Sequence, residues 1–168
     1  MADEATLVVI KPDAIKRGLV GAVLSKLEGL KLEIIGVKVT RVSRSLAEAH
    51  YQHIRDKPFF NETVEYLEGK LHHVSSVLAL VFWGDHAIER VCQLTGATHP
   101  EKAEPTSIRG AFGRMATNGL MENMIHASSD HAGAEREIRL WFEPQELLRD
   151  VLSMSRKASE GGEGHARD

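Results

Sequence analysis

The run from Val74 to Trp83 is almost continuously apolar. A stretch of that length with so little polar alternation reads as a buried strand, so the rest of the chain has to cover it. Thr6 to Ile10 is also apolar and β-prone, and it stops at Lys11-Pro12, where proline ends the ladder. Val20, Val23, Leu24, Leu27 and Leu30 recur at helical spacing. Leu32 to Val42 is β-rich and alternates in part through Ile34, Ile35, Val37 and Val39. Ser45 is placed to cap a helix through His50 and His53, and Asp85 to cap one reaching Leu94. Phe59 to Lys70 reads as a short helix. Gly96 to Arg109, with Pro100 and Pro105, reads as a structured loop. Asn123 to His126 forms the last strand, and Ser129 or Asp130 opens a helix to Trp141.

The order is β-α-β, then helices, then β-α-β. Two such halves predict an α+β sandwich of the ferredoxin-like kind: a four-stranded antiparallel sheet with helices packed on it. Residues 1–155 are expected to form one domain. The tail 156–168 is charged and glycine-rich with no apolar pattern, and is predicted to be disordered. A composition of 42% hydrophobic and 27% charged residues is that of an ordinary globule. The net charge of −3 gives no global attraction to nucleic acid or an anionic membrane, but leaves room for a local basic cleft. No run approaches the roughly 18 apolar residues of a membrane span. Cys92 is the only cysteine, so no internal disulfide forms, and a reducing compartment is allowed. The start of the chain lacks the basic region and long apolar stretch of a signal peptide. The expected location is cytoplasmic.

The stretch Asn123-Met124-Ile125-His126-Ala127-Ser128 carries the chemistry. A strand ends on a histidine, small and hydroxyl residues follow, and the next helix brings Glu135 and Glu137. A neutral imidazole can attack phosphorus and pass the group on. The chain has neither GxxxxGK[ST] nor GxGxxG, so side chains have to hold any phosphates. Lys11, Thr98 and Arg109 are the candidates, with Mg²⁺ sharing the charge.

Three groups of residues then occur in a telling order: Lys11-Pro12-Asp13 with Arg17-Gly18-Leu19; Asn123-x-Ile125-His126-x-Ser128; and Glu135-Arg136-Glu137-Ile138 with Leu140-Trp141-Phe142. Together they resemble the motifs of nucleoside diphosphate kinases, across residues 6 to 148. The resemblance implies transfer of the γ-phosphate of a nucleoside triphosphate to a nucleoside diphosphate, in a ping-pong cycle through phospho-His126. It implies that Glu137 holds the imidazole tautomer with Ser128 beside it, and that Lys11 contacts phosphate and sugar hydroxyl with support from Tyr51. It also implies that Phe59 stacks on the base, that Thr98 and Arg109 hold phosphate, and that Asn123 contacts the sugar. Phe60 is expected in the core. Mg²⁺ would ride mainly on the nucleotide phosphates, with no dedicated protein site, and the family's homo-oligomers are hexamers or tetramers.

The chain departs from the family pattern in places. Cys92 stands where the family usually places a phosphate-binding arginine. A mostly neutral thiol cannot replace a guanidinium fork. Arg90 is two helix positions away, rotated by roughly 200° to another face. Thr106 replaces a usual glycine, which predicts strain in that turn. Ala111 replaces an acidic residue and Ser129 an aspartate. Two segments, 67–76 and 113–122, look longer than usual. The first contains His72-His73, which reads as a solvated loop rather than a metal site. Cys92 also raises an alternative: a nucleotide-binding or scaffold member with weakened catalysis. A nucleic-acid module ranks last, because the chain is net acidic and 5% aromatic.

Overall fold

The computed structural model describes residues 3–151. The tail expected to be disordered, 156–168, lies outside them. Strand β1 (Asp3–Ile10) leads into α1 (Pro12–Lys16) and α2 (Val20–Glu28), then β2 (Glu33–Arg41), α3 (Arg44–His50) and α4 (Phe60–Leu67). Strand β3 (Ser76–Asp85) and α5 (Ala87–Thr95) follow, then α6 (Ile108–Phe112), a hairpin of β4 (Arg114–Met115) and β5 (Met121–Glu122), β6 (Ile125–Ala127) and α7 (His131–Trp141). The main sheet has the order β2-β3-β1-β6, and its pairings are all antiparallel. This is the ferredoxin-like arrangement expected.

Strand β1 shows why its sequence is apolar throughout. Leu7 and Val9 face one helical layer, with Ala47, Val64, Leu67, Ile138 and Trp141. Val8 and Ile10 face the other, with Ala14, Val23, Leu27, Val91 and Ile108. Period-two alternation puts successive side chains on opposite faces, and here both faces are core. Truncating a fully buried residue such as Phe82 to alanine would cost about 3–5 kcal/mol.

Several boundaries differ from the sequence reading. Ser43, not Ser45, caps α3, because its Oγ accepts from the Leu46 amide at 3.2 Å, the third residue of the helix. The α-helix ends at His50, and Gln52–Ile54 tightens into a 3₁₀ turn. Asp85 stays in β3, paired with Asp3, so it does not cap α5. His86 takes that place in a left-handed conformation (φ 50°), and Glu4 from β1 accepts from the Ile88 amide at 2.9 Å. Val74 falls outside β3 because its amide turns back to the Gly69 carbonyl. At Gly69 (φ +82°) a Cβ would stand 1.6 Å from the Val74 carbonyl oxygen, so this turn requires glycine. The stretch 96–109 is not wholly loop: Pro100–Lys102 is a 3₁₀ turn, and Ser107 opens α6 by accepting from the Gly110 amide at 3.1 Å. Thr106 is absent from the residues with positive φ, so the expected strain is not there.

Candidate active site

Strand β6 places His126 opposite Val9, at the edge of the sheet, and α7 runs back over it. Asp130 starts α7 by accepting from the Gly133 amide at 2.8 Å. The helix then buries Ala134, Glu137, Ile138 and Trp141, one stripe at helical spacing. A glutamate in that stripe needs partners, and it has them. His126 Nε2 lies 2.8 Å from Glu137 Oε2, and Ser128 Oγ donates to the same oxygen at 2.6 Å. The Leu7 amide in turn donates to Ser128 Oγ at 3.2 Å, and Arg136 stands 3.5 Å from Glu137 Oε1. Burial opposes the charge of Glu137, but the bonds from His126 and Ser128 and the nearby Arg136 outweigh it and hold the carboxyl below its usual range.

Because Glu137 is ionised and can only accept, His126 Nε2 carries the proton and Nδ1 keeps the lone pair. Burial pushes the His126 imidazole below its ordinary value; Glu137 pulls the other way, and Lys11 and Arg109 reinforce the burial. The ring is therefore neutral near pH 7. His50 packs edge-on against it, with centroids 4.3 Å apart. Trp141 Nε1 donates to His50 Nδ1 at 3.0 Å, which leaves the proton of His50 on Nε2. Ligand atoms of His50, His126 and Glu137 lie within 4.8 Å of one another, yet that tautomer denies a metal the His50 nitrogen.

His126 lines a cleft of about 610 Å³, together with Lys11, Tyr51, Phe59, Thr98, Arg109, Asn123, Cys92 and Glu137. Residues expected to cooperate from distant parts of the sequence thus share one cavity, and Ser128 sits behind it on Glu137. Lys11 follows the end of β1, and its amide donates to the Met124 carbonyl at 2.9 Å. Its ammonium donates to Asn123 Oδ1 at 2.8 Å. Burial pulls Lys11 down to about 7; Arg109 adds to the shift and Asp13 opposes it. Asn123 Nδ2 donates to the Thr98 carbonyl at 3.2 Å. Arg109 donates to the carbonyls of Gly96 (3.0 Å), Ile125 (2.8 Å) and Asn123 (3.4 Å), leaving two N–H groups of its fork for a ligand.

The backbone between these groups is strained. Met124, fully buried, has φ +68°, a conformation that L side chains rarely adopt. Its amide donates to Asp13 Oδ2 at 3.0 Å, and the Lys11 and Arg109 bonds hold the peptides on either side. Phe59 is 52% exposed at the mouth of the cleft, while its neighbour Phe60 enters the core as expected. Thr98 is exposed. The Tyr51 hydroxyl is buried without a hydrogen-bond partner among the described residues, and burial raises its phenol. The Cys92 thiol donates to the Ser128 carbonyl at 3.0 Å, and burial pushes it up while Arg109 pulls it down. Arg90 donates to the carbonyls of Asp85 and Leu30, away from the cleft.

Sequence reasoning missed His50, Trp141 and Tyr66. A histidine in the buried stripe of α3 was the available signal for the first. It also misplaced His72, which is 3% exposed and lies 3.0 Å from Glu122. His73 alone is exposed.

A family model described as nucleoside diphosphate kinase matches residues 4–147. A nucleoside diphosphate kinase of Pyrococcus horikoshii is 44% identical over 145 residues, which cover 86% of this chain and 88% of the relative. Among solved structures, a transition-state mimic of the Borrelia burgdorferi enzyme with vanadate and ADP is 33% identical. It superposes with a TM-score of 0.78, over 92% of this chain and 96% of that one. The halophilic enzyme of Halobacterium salinarum in complex with CDP is 37% identical, with a TM-score of 0.79, over 93% and 98%. The match spans the sheet, both helical layers and every residue of the cleft, and the chain belongs to the nucleoside diphosphate kinase family.

Proposed function

We propose that His126 is the group that carries phosphate in this nucleoside diphosphate kinase, and that its Nδ1 is the attacking atom. The observation that carries this reading is the 2.8 Å bond from His126 Nε2 to Glu137, which commits one nitrogen and frees the other. Nδ1 donates its lone pair to the γ-phosphorus of a nucleoside triphosphate. The P–N bond forms as the bond to the β–γ bridging oxygen breaks, and the nucleoside diphosphate leaves with that electron pair. The ring, still protonated on Nε2, becomes cationic, and the ionised Glu137 stabilises it. A terminal oxygen of a second nucleoside diphosphate then attacks the phosphorus, and the P–N electrons return to Nδ1. No proton has to move in either half.

Lys11 and the two uncommitted N–H groups of Arg109 would hold the phosphates, Asn123 and Lys11 the sugar, and Phe59 the base. Stacking reads a π face, which suits a site that accepts any nucleoside. Two side-chain cations cannot neutralise a triphosphate. The carboxylates lining the cleft are Glu62 and Glu137, and Glu137 is already bonded to His126 and Ser128. That donor set fits Mg²⁺ arriving on the phosphates and keeping water ligands, with no residue of the chain reserved for it. When bound, the ion would offset charge on the phosphate oxygens.

A homo-oligomer is the assembly we favour. Strand β2 is a sheet edge, and Val37 and Val39 are 58% and 71% exposed on it, an apolar strip suited to a second copy. No helix among the described residues is long and apolar enough to cross a membrane. A reduced thiol at Cys92 suits a cytoplasmic setting. Cys92 also favours a secondary reading, catalysis weakened relative to family members that hold an arginine there.

Self-phosphorylation tests the assignment. Wild-type protein mixed with γ-labelled ATP and Mg²⁺ should take up an acid-labile label that GDP removes as GTP, and His126→Ala should take up none. A label that persists in His126→Ala would remove His126 from the reaction.

A further inference from the structure

The two longer segments of the chain meet in the interior. The turn after α4 drives His72 inward, and the hairpin β4–β5 ends on Glu122, which is 6% exposed. His72 Nε2 lies 3.0 Å from Glu122 Oε1. Arg114 donates to Glu122 Oε2 at 2.6 Å, and Arg17 stands 3.9 Å from it. Burial disfavours the Glu122 charge, but the Arg114 and His72 bonds hold its carboxyl below the usual range. His72 is therefore the donor in this pair.

From this pair a closed ring of contacts leads to the cleft. Glu122 is the residue before Asn123, whose Oδ1 receives the Lys11 ammonium at 2.8 Å. Lys11 Nζ lies 5.2 Å from the centre of the Tyr66 ring. Tyr66, in turn, packs edge-on against His72 with centroids 5.0 Å apart. Asn123 is thus held on one side by Glu122 and on the other by Met124, whose amide is fixed on Asp13. We propose that His72 is a positioning residue for nucleotide binding: through Glu122 and Tyr66 it holds Asn123 and Lys11 in place, so that the two longer segments act as one clamp on the sugar–phosphate end of the cleft. The inference rests on the assignment of Lys11 and Asn123 to nucleotide contacts.

The experiment compares wild type, His72→Leu, His72→Gln and Asn123→Ala, by melting temperature, ADP titration and steady-state rates with Mg²⁺-ATP and GDP. Losing a hydrogen bond to a charged group predicts that His72→Leu raises KM and the ADP Kd about ten-fold, with kcat within about two-fold. His72→Gln places an amide N–H where the ring Nε2 stood and should recover most of the affinity. On an Asn123→Ala background, His72→Leu should add less than about two-fold, because residues acting through one another are not additive. Unchanged KM in His72→Leu overturns the proposal. So does a loss shared by kcat and melting temperature that His72→Gln fails to restore, which would mean a packing role alone. If His72→Leu does not fold, Glu122→Gln replaces it: several-fold weaker ADP binding supports the clamp, and wild-type binding overturns it. Unchanged nucleotide affinity in Asn123→Ala alone would instead defeat the site assignment underneath.

Discussion

His126 and His72 each turn Nε2 toward a buried glutamate, at 2.8 Å and 3.0 Å. Both glutamates are held below the usual carboxyl range by the bonds they accept. The difference lies at the other ring nitrogen and in the surroundings. The His126 side chain keeps 15% exposure and lines the cleft, whereas the His72 side chain keeps 3% and its Nδ1 is buried without a partner among the described residues. Glu137 has one arginine beside it, Arg136; Glu122 has two, Arg114 and Arg17. A carboxylate therefore fixes the tautomer in both places, but an imidazole becomes a nucleophile only where its lone pair meets the substrate. The fully neutralised, sealed pair is suited to holding loops together.

The sharpest test of that contrast is Glu137→Gln. The amide keeps the shape and accepts the His126 bond, but carries no charge to stabilise the cationic ring of the phosphoenzyme. Loss of such a partner predicts a fall in kcat of about a hundred-fold, with KM nearly unchanged. Rapid-quench measurement of phosphohistidine formation would show it. A kcat within about three-fold of wild type would mean that Glu137, like Glu122, acts by holding its histidine in position and not by charge on the reacting ring.

How much of this was legible in the sequence follows the same division. The pieces of the first pair lie in short motifs, and the eleven residues from His126 to Glu137 are bridged by one strand end and one helix, so local patterns place them. The second pair joins residues 50 apart in the chain. Nothing in the spacing of His72 or Glu122 shows that two irregular segments fold onto each other, and His72 therefore reads as a solvated loop. The sandwich itself was readable, because its two central strands, β1 and β3, are apolar on both faces. The caps were less so: Ser43 and Ser45 are equivalent by type, and only the bond to Leu46 distinguishes them. The Glu4 bond to α5 is a long-range cap that no local rule finds.

The pH dependence of kcat/KM separates the cleft from the sealed pair in a second way. His126 works when neutral, and its value is lowered from 6.5, so activity should hold below 6.5 and fall by about ten-fold per pH unit beneath the lowered value. On the proposed assignment Lys11 holds phosphate when charged, and in the empty cleft it is pulled down to about 7, so kcat/KM should also fall as pH rises above 7. Bound phosphates favour the ammonium, so kcat should lose this alkaline fall while kcat/KM keeps it. Stability follows the groups that resist protonation in the fold: as pH drops, the unfolded chain takes up a proton first at Lys11, below 10.5, and then at His50 and His126, below 6.5. Melting temperature should then decline as pH falls toward 7, through the Lys11 shift, and decline again below 6.5 as the histidines approach their lowered values. A flat kcat/KM between pH 6 and 9 would show that Lys11 keeps its charge throughout.

Cys92 offers the smallest predicted effect, and it asks whether the His126 pair lacks a cation that the His72 pair does not need. Position 92 lines the cleft, and its thiol spends its one weak donor on the Ser128 carbonyl. Cys92→Arg would give up that bond and offer a guanidinium to the phosphates. A charge-assisted hydrogen bond of about 1.5–3 kcal/mol predicts a KM for nucleotides lower by about ten-fold. Part of that gain is lost, because the charge of Arg109 already acts at position 92 and like charges oppose one another in the empty cleft. The net expectation is a KM lowered by about three- to ten-fold, with a melting temperature of the free protein lower by a few degrees and restored by ADP. An unchanged KM would mean that phosphate does not reach position 92. Lys11, Arg109 and the metal would then complete the charge balance, and cysteine would be as good as arginine there.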